Sequence, residues 1–203
     1  MRGTMSETPV PNQCNLWYHI VGALVFFVVV EERGTTYMPS TNAKSLSETS
    51  RTKLKDAINQ LESFLNQYSL NQLIGEETGD EAQTFYKGLL SDLRHLLVFS
   101  EVSVEKLGVL LRRPNFDNDF AERALYDVYH QCVNAFFYPK NECYSEDGRY
   151  AYTGQDAIRF RFKPVREARD IVLSVSKIYE ELRDELAYYE NDYMTQRRMQ
   201  GQK

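Results

Sequence analysis

Apolar residues recur along most of this chain at steps of three and four, the spacing of one face of an α-helix. The first such stripe runs Leu54, Ile58, Leu61, Leu65, Tyr68. Before it, Ser45-Leu46-Ser47-Glu48 fits a capping box, in which Ser and Glu side chains satisfy the free backbone donors of a helix start; Gly75 and Gly79 end the run. Asp80, with Gln83 as its capping partner, opens a second helix with the stripe Tyr86, Leu90, Leu93, Leu97, Ser100, Val104, Leu107, Leu111. A parallel stripe, Phe85, Leu89, Leu96, Phe99, widens the apolar face, so this helix is expected to be the most buried of all. Pro114 stops it, and cap-forming residues crowd 115–119. A third helix then carries Phe120, Ala121, Ala124, Leu125, Val128, Tyr129, Cys132, Val133 and Phe136, up to Pro139.

The last pattern is the most regular. Val165, Ala168, Val172, Val175, Tyr179, Leu182, Leu186, Tyr189 and Tyr193 alternate steps of three and four without a break, behind Pro164 in the first turn. This heptad seam predicts one helix roughly 44 Å long, packed inside a bundle or against a second copy as a homodimer through the 165–193 helix. Between Pro139 and Pro164 the period changes to alternation at Tyr150, Tyr152, Ile158, Phe160 and Phe162 around Thr153-Gly154, the mark of a β-hairpin or ordered loop. The expected fold is all-α: a four-helix bundle with a small insertion between helices three and four.

The longest apolar run, Leu16 to Val30, does not fit that scheme. It falls short of the roughly 17–25 residues that span a bilayer, and Glu31-Glu32-Arg33 stands where a signal peptide would have small cleavage-site residues. A membrane-associated anchor, a docked core segment and a non-core leader are all open. We favour the leader. Glu31 to Gly34 can be encoded by ribosome-binding-like sequence just before Met38, so residues 1–37 are read as preceding the true start and 38–203 as one helical domain.

Few glycines (10) and prolines (6) in 203 residues suit long helices. The net charge of −5 disfavours nucleic acid or an anionic membrane as partner. Three cysteines without a C-x-x-C motif suggest neither a disulfide framework nor a zinc site, and point to a reducing, cytoplasmic setting.

Three constellations carry candidate chemistry. Arg149, Tyr152, Arg159, Arg161 and Arg166 make the insertion locally basic and aromatic, suited to a protein partner or, through Arg149, Arg159 and Arg161, to a phosphorylated ligand. Arg159 and Arg161 fit the solvent face of a strand equally well, with the acidic last helix available to pair with them. Asp92/His95 and Asp127/His130 are two Asp-x-x-His pairs, each able to offer a carboxylate and an imidazole to a divalent metal cofactor. Such bundle sites also use inward glutamates, which are missing from helices one and four, so capping or surface roles compete. Cys132 falls on the apolar stripe, opposite His130, and reads as a buried thiol. Glu181-x-x-Asp184 lacks the Glu-Glu-x-x-Glu helix that would make it half of a Mg²⁺ site. No P-loop, G-x-G-x-x-G, H-E-x-x-H or G-x-S-x-G motif occurs.

Four strings, Tyr86-Lys87-Gly88-Leu89-Leu90 with Leu93-Arg94, Tyr129-His130-Gln131-Cys132, Phe137-Tyr138-Pro139-Lys140-Asn141, and Ala151-Tyr152-Thr153-Gly154, together resemble the YpuI-like family of uncharacterised proteins from bacilli. The resemblance covers about Lys53 to Tyr193 and implies a bacterial cytoplasmic protein; it carries over no activity and no functional residue. The expectation from sequence is a non-enzymatic interaction or regulatory protein that binds a partner through its Tyr/Arg-rich insertion. The alternatives are a metal-dependent helical-bundle enzyme and a phosphorylated-ligand sensor.

Overall fold

The computed structural model describes residues 41–75, 79–147 and 157–201. The leader reading, Arg149 and Tyr152 lie outside them. Within them the chain is mostly helical, with one two-stranded antiparallel sheet.

Helix α1 spans Thr41–Gln67 and starts ahead of the expected capping box. Ser45 and Glu48 therefore lie inside the helix, and the Ser47 hydroxyl donates back to the Ala43 carbonyl at 2.7 Å. The box geometry occurs instead at Ser69, where Gln72 Oε1 accepts from the Ser69 amide (2.7 Å) and opens the short α2, Leu70–Ile74. The buried face of α1 is Ala43, Ser47, Ser50, Leu54, Ala57, Leu61 and Phe64, with Ile58, Leu65 and Tyr68 at its margins. Small residues on this stripe let α1 pack against α3 (Asp80–Leu111), α4 (Asn118–Val128) and α6 (Arg166–Glu185).

Asp80 lies in the first turn of α3, behind Gly79 as cap, and α3 buries both expected stripes from Phe85 to Leu96. Phe99, expected inside, is exposed. The Asp117 carboxylate caps α4 by accepting from the Phe120 amide at 3.0 Å. The third helical run is not uniform: Tyr129–Val133 form a π turn, closed by Asn134 N–H on the Tyr129 carbonyl, before α5 (Asn134–Phe137).

Strands β1 (Tyr144–Glu146) and β2 (Ile158–Phe160) pair with Tyr144 opposite Phe160, Ser145 opposite Arg159 and Glu146 opposite Ile158. The insertion is thus a sheet, as expected. Its first described strand, however, is Tyr144–Glu146, upstream of the Tyr150/Tyr152 alternation.

The unbroken 44 Å helix is not formed. Helix α6 ends at Glu185, a single 3₁₀ turn covers Ala187–Tyr189, and α7 runs Asp192–Met199. The seam persists through the break, because Leu186, Tyr189 and Tyr193 are all buried. Burial, not helical hydrogen bonding, maintains the three-four spacing there. From Ala168 to Tyr193 the seam is buried within the chain itself, and only Val165 is exposed. In the interior the Tyr179 ring stacks on Phe136 at 4.9 Å, and its hydroxyl meets Ser100 Oγ at 2.9 Å. No helix among the described residues is long and apolar enough to cross a membrane.

Candidate functional site

The site begins with a glycine in the interior of α3. A Cβ on Gly88 would lie 2.9 Å from both Asn141 Cβ and Cys143 Sγ, so only glycine lets the 138–143 turn approach the helix so closely. One helical turn on, Asp92 is nearly buried (8% exposed) and its two oxygens accept from the Asn141 amide (3.1 Å) and from Asn141 Nδ2 (2.7 Å). Asn141 Nδ2 also reaches the Gly88 carbonyl at 3.3 Å. Glu142 takes a positive φ of 50°, which turns the chain back along α3. Cys143 Sγ then donates to the Phe85 carbonyl at 3.4 Å, and β1 follows.

Two more contacts fix the surroundings of the sheet. The Tyr86 hydroxyl accepts from the Val165 amide at 2.9 Å, fixing the start of α6 to α3. The Arg183 guanidinium grips Glu146 with two bonds, 2.7 and 3.0 Å, while lying 4.0 Å above the Phe137 ring.

Between the first turns of α3 and the end of β2 these anchors leave a cleft of about 430 Å³, lined by Asp80, Glu81, Thr84, Phe85, Asn141, Cys143, Arg161 and Phe162. Phe85 and Phe162 form its aromatic floor, with ring centroids 5.4 Å apart. Exposed Arg161 brings a cation to it, and exposed Asp80 and Glu81 bring carboxylates. Burial, with the Asp92 charge adding to it and Arg161 opposing it, pushes the Cys143 thiol up to about 11. At neutral pH it is a protonated thiol, a weak nucleophile.

The structure disperses the other residues singled out from sequence. Arg159 is not among the residues lining the cleft and pairs through Nε with Asp147 Oδ2. Arg166 sits in the first turn of α6, paired with Asp170 at 3.3 Å. Of the three described arginines, Arg161 alone lines the cleft.

The two Asp-x-x-His pairs do not form one centre. Asp92 is committed to Asn141, and exposed His95 stacks beside Phe99. Asp127 is bound to Lys106 Nζ at 2.7 Å. His130 donates from Nε2 to the Tyr189 carbonyl (3.1 Å), which leaves Nδ1 to accept from Asn134 Nδ2 (3.2 Å). Its ring also lies 4.2 Å from that of Tyr126. Among the described residues no three His, Cys, Asp or Glu side chains are grouped to hold a metal.

Sequence reasoning missed most of the cleft: Asp80, Glu81, Thr84, Phe85 and Asn141 were not singled out as site residues. Gly88 within a helical stripe was the available signal, because a glycine there costs helix stability and needs a packing reason. It stands in one of the strings that carried the family resemblance, and Asn141 closes another. Those two strings meet at the Gly88–Asp92–Asn141 contact.

The chain is 35% identical over 137 residues to the uncharacterized protein YpuI of Bacillus subtilis (strain 168), an overlap of 68% of this chain and 75% of that protein. No solved structure matches it. The family described as "Protein of unknown function (DUF3907)" matches residues 47–195, from the first buried turns of α1 into α7 and so across the whole cleft, and the chain belongs to that family.

Proposed function

We propose that this protein is a binding module: a cytoplasmic bundle of four helical runs that takes a segment of a protein partner into the cleft between the start of α3 and the β1–β2 sheet. One observation carries the reading. Arg161 has no ion-pair partner among the described residues, yet it stands beside an aromatic floor and across from two exposed carboxylates. That combination suits an extended segment with an apolar side chain for the floor and an acidic one for Arg161.

The groups best suited to catalysis nearby are already engaged. Asp92 is used in holding the turn, both His130 nitrogens are bonded, and Cys143 keeps its proton. Two unpaired, buried thiols, Cys132 and Cys143, suit a reducing compartment. The pairing of Arg159 with Asp147 takes away one of the three arginines a phosphate site would use, which favours a protein segment over a phosphorylated ligand.

The test is affinity capture from a Bacillus subtilis lysate with the immobilised full chain, its Arg161→Glu variant, and Lys55→Glu on α1 as a charge-matched control. Proteins held by the wild type and the control, released by raised salt and lost with Arg161→Glu, are expected. Equal capture by wild type and Arg161→Glu would remove the cleft from the account.

A further inference from the structure

Helix α3 carries an apolar stripe that stands exposed among the described residues. Of seven large apolar side chains that stand well exposed among the described residues, four lie on this one helix: Val98 (51%), Phe99 (39%), Val102 (51%) and Val109 (46%). At 100° per residue, Val98, Val102 and Val109 fall within about 40° of one another, with Phe99 beside them, so they form one outward face. Clustered exposure of this kind marks an interaction surface more often than scattered apolar residues do.

The charges beside the stripe identify its occupant. Arg94 and Glu105 are eleven residues apart in sequence, close to three full turns, and so share one flank of that face. Both are exposed, and neither has an ion-pair partner among the described residues. Between Arg94 and Glu105 this flank runs from basic to acidic, and that stretch complements itself when inverted. Two such helices packed antiparallel, about a two-fold axis between residues 99 and 100, place Arg94 of each copy against Glu105 of the other. Val98, Phe99 and Val102 of both copies then close around the axis. Parallel packing about a two-fold axis would instead put this flank on opposite sides of the seam in the two copies, so Arg94 and Glu105 would not meet, and the charge pairing selects the antiparallel arrangement.

We infer that α3 joins two copies of this chain through its Val98–Val109 face, as an isologous antiparallel helix pair. This is a different surface from the 165–193 seam, which is spent inside the chain, and it is independent of the cleft on the sheet side of α3.

Sedimentation equilibrium of the full chain over a concentration series tests it. A monomer–dimer equilibrium is expected for the wild type. Arg94→Glu and Glu105→Arg alone should each weaken dimerisation about tenfold, since each alters two symmetric contacts. Mixing these two variants should restore it, because both contacts in the mixed dimer are again Glu against Arg. Val102→Asp, which buries two carboxylates near the axis, should abolish the dimer while far-UV circular dichroism stays unchanged. A wild type that is monomeric throughout overturns the inference. So does a dimer unaffected by Val102→Asp, and so do single reversals that the mixture fails to rescue.

Discussion

Alanine at two glycines of the same helix should have opposite effects. In an unobstructed helix interior, Gly→Ala stabilises by about 1 kcal/mol. At Gly88 the new methyl would meet Asn141 Cβ and Cys143 Sγ at 2.9 Å, well inside the ~3.5–4.0 Å optimum for such pairs. One neighbour is a backbone-attached carbon and the other a buried sulfur, so relief requires moving the turn. Overpacking of this kind costs roughly 1–3 kcal/mol. Moving the turn also loosens the Asn141–Asp92 bonds, where a hydrogen bond to a charged group is worth about 1.5–3 kcal/mol. Set against the propensity gain, Gly88→Ala should destabilise by roughly 2–4 kcal/mol. At Gly108 the nearest atoms belong to the Arg51 guanidinium, at 3.1 to 3.5 Å, the far end of a long side chain that can shift by tenths of an ångström. Gly108→Ala should therefore be neutral or stabilising by up to about 1 kcal/mol. Urea denaturation followed by circular dichroism measures both. A Gly88→Ala protein as stable as the wild type, with an unchanged m-value, would refute the argument that glycine is there to admit the turn.

Two further predictions rest on burial and on the sheet anchor. Desolvation holds the Cys132 and Cys143 thiols up at about 11, against an ordinary 9.0, so the folded chain keeps protons that the unfolded chain releases. Their contribution is complete below pH 9 and is lost as pH rises toward 11, and buried Tyr144 and Tyr179, also raised by desolvation, act in the same sense at higher pH. Urea midpoints should thus fall steadily from about pH 9 to about pH 10.5, and a flat profile would contradict the burial of these groups. Arg183→Ala should cost roughly 1–3 kcal/mol by removing the Glu146 fork and the contact with the Phe137 ring. Hydrogen exchange should then quicken at the amides of β1 and β2 before those of α3; uniform exchange would deny that this pair is what anchors the sheet.

The helices were legible because their inward faces are large and apolar. What escaped did so for physical reasons. The inward face of α1 includes Ala43, Ser47, Ser50 and Ala57, small residues chosen for close approach, which a search for bulky apolar side chains passes over. The break after Glu185 was hidden because Leu186, Tyr189 and Tyr193 keep a seam's spacing without a helix's hydrogen bonds. The π turn did leave a trace. Ala124-Leu125, Val128-Tyr129, Cys132-Val133 and Phe136-Phe137 recur every four residues, and over twelve residues an α-helix would let that pattern drift by about 120°. The cleft escaped because it is assembled from the start of α3, the 139–143 turn and the end of β2, and periodicity within one segment cannot report contacts across three.

The π turn also makes this one stretch forgiving of a lost residue. Its Tyr129–Asn134 bond absorbs one residue more than an α-helical turn would. Delete any one residue between Tyr129 and Val133 and the turn can close as ordinary helix, with no backbone bond lost. Everything beyond it would then keep its place, with Phe136 and Phe137 still on the core and Asn141 still beside Asp92, because the π turn already holds them where a helix one residue shorter would put them. A one-residue gap here should therefore be tolerated far better than the same gap in the regular turns of α4, where everything downstream would swing by about 100° and carry the Asn141 turn away from Asp92.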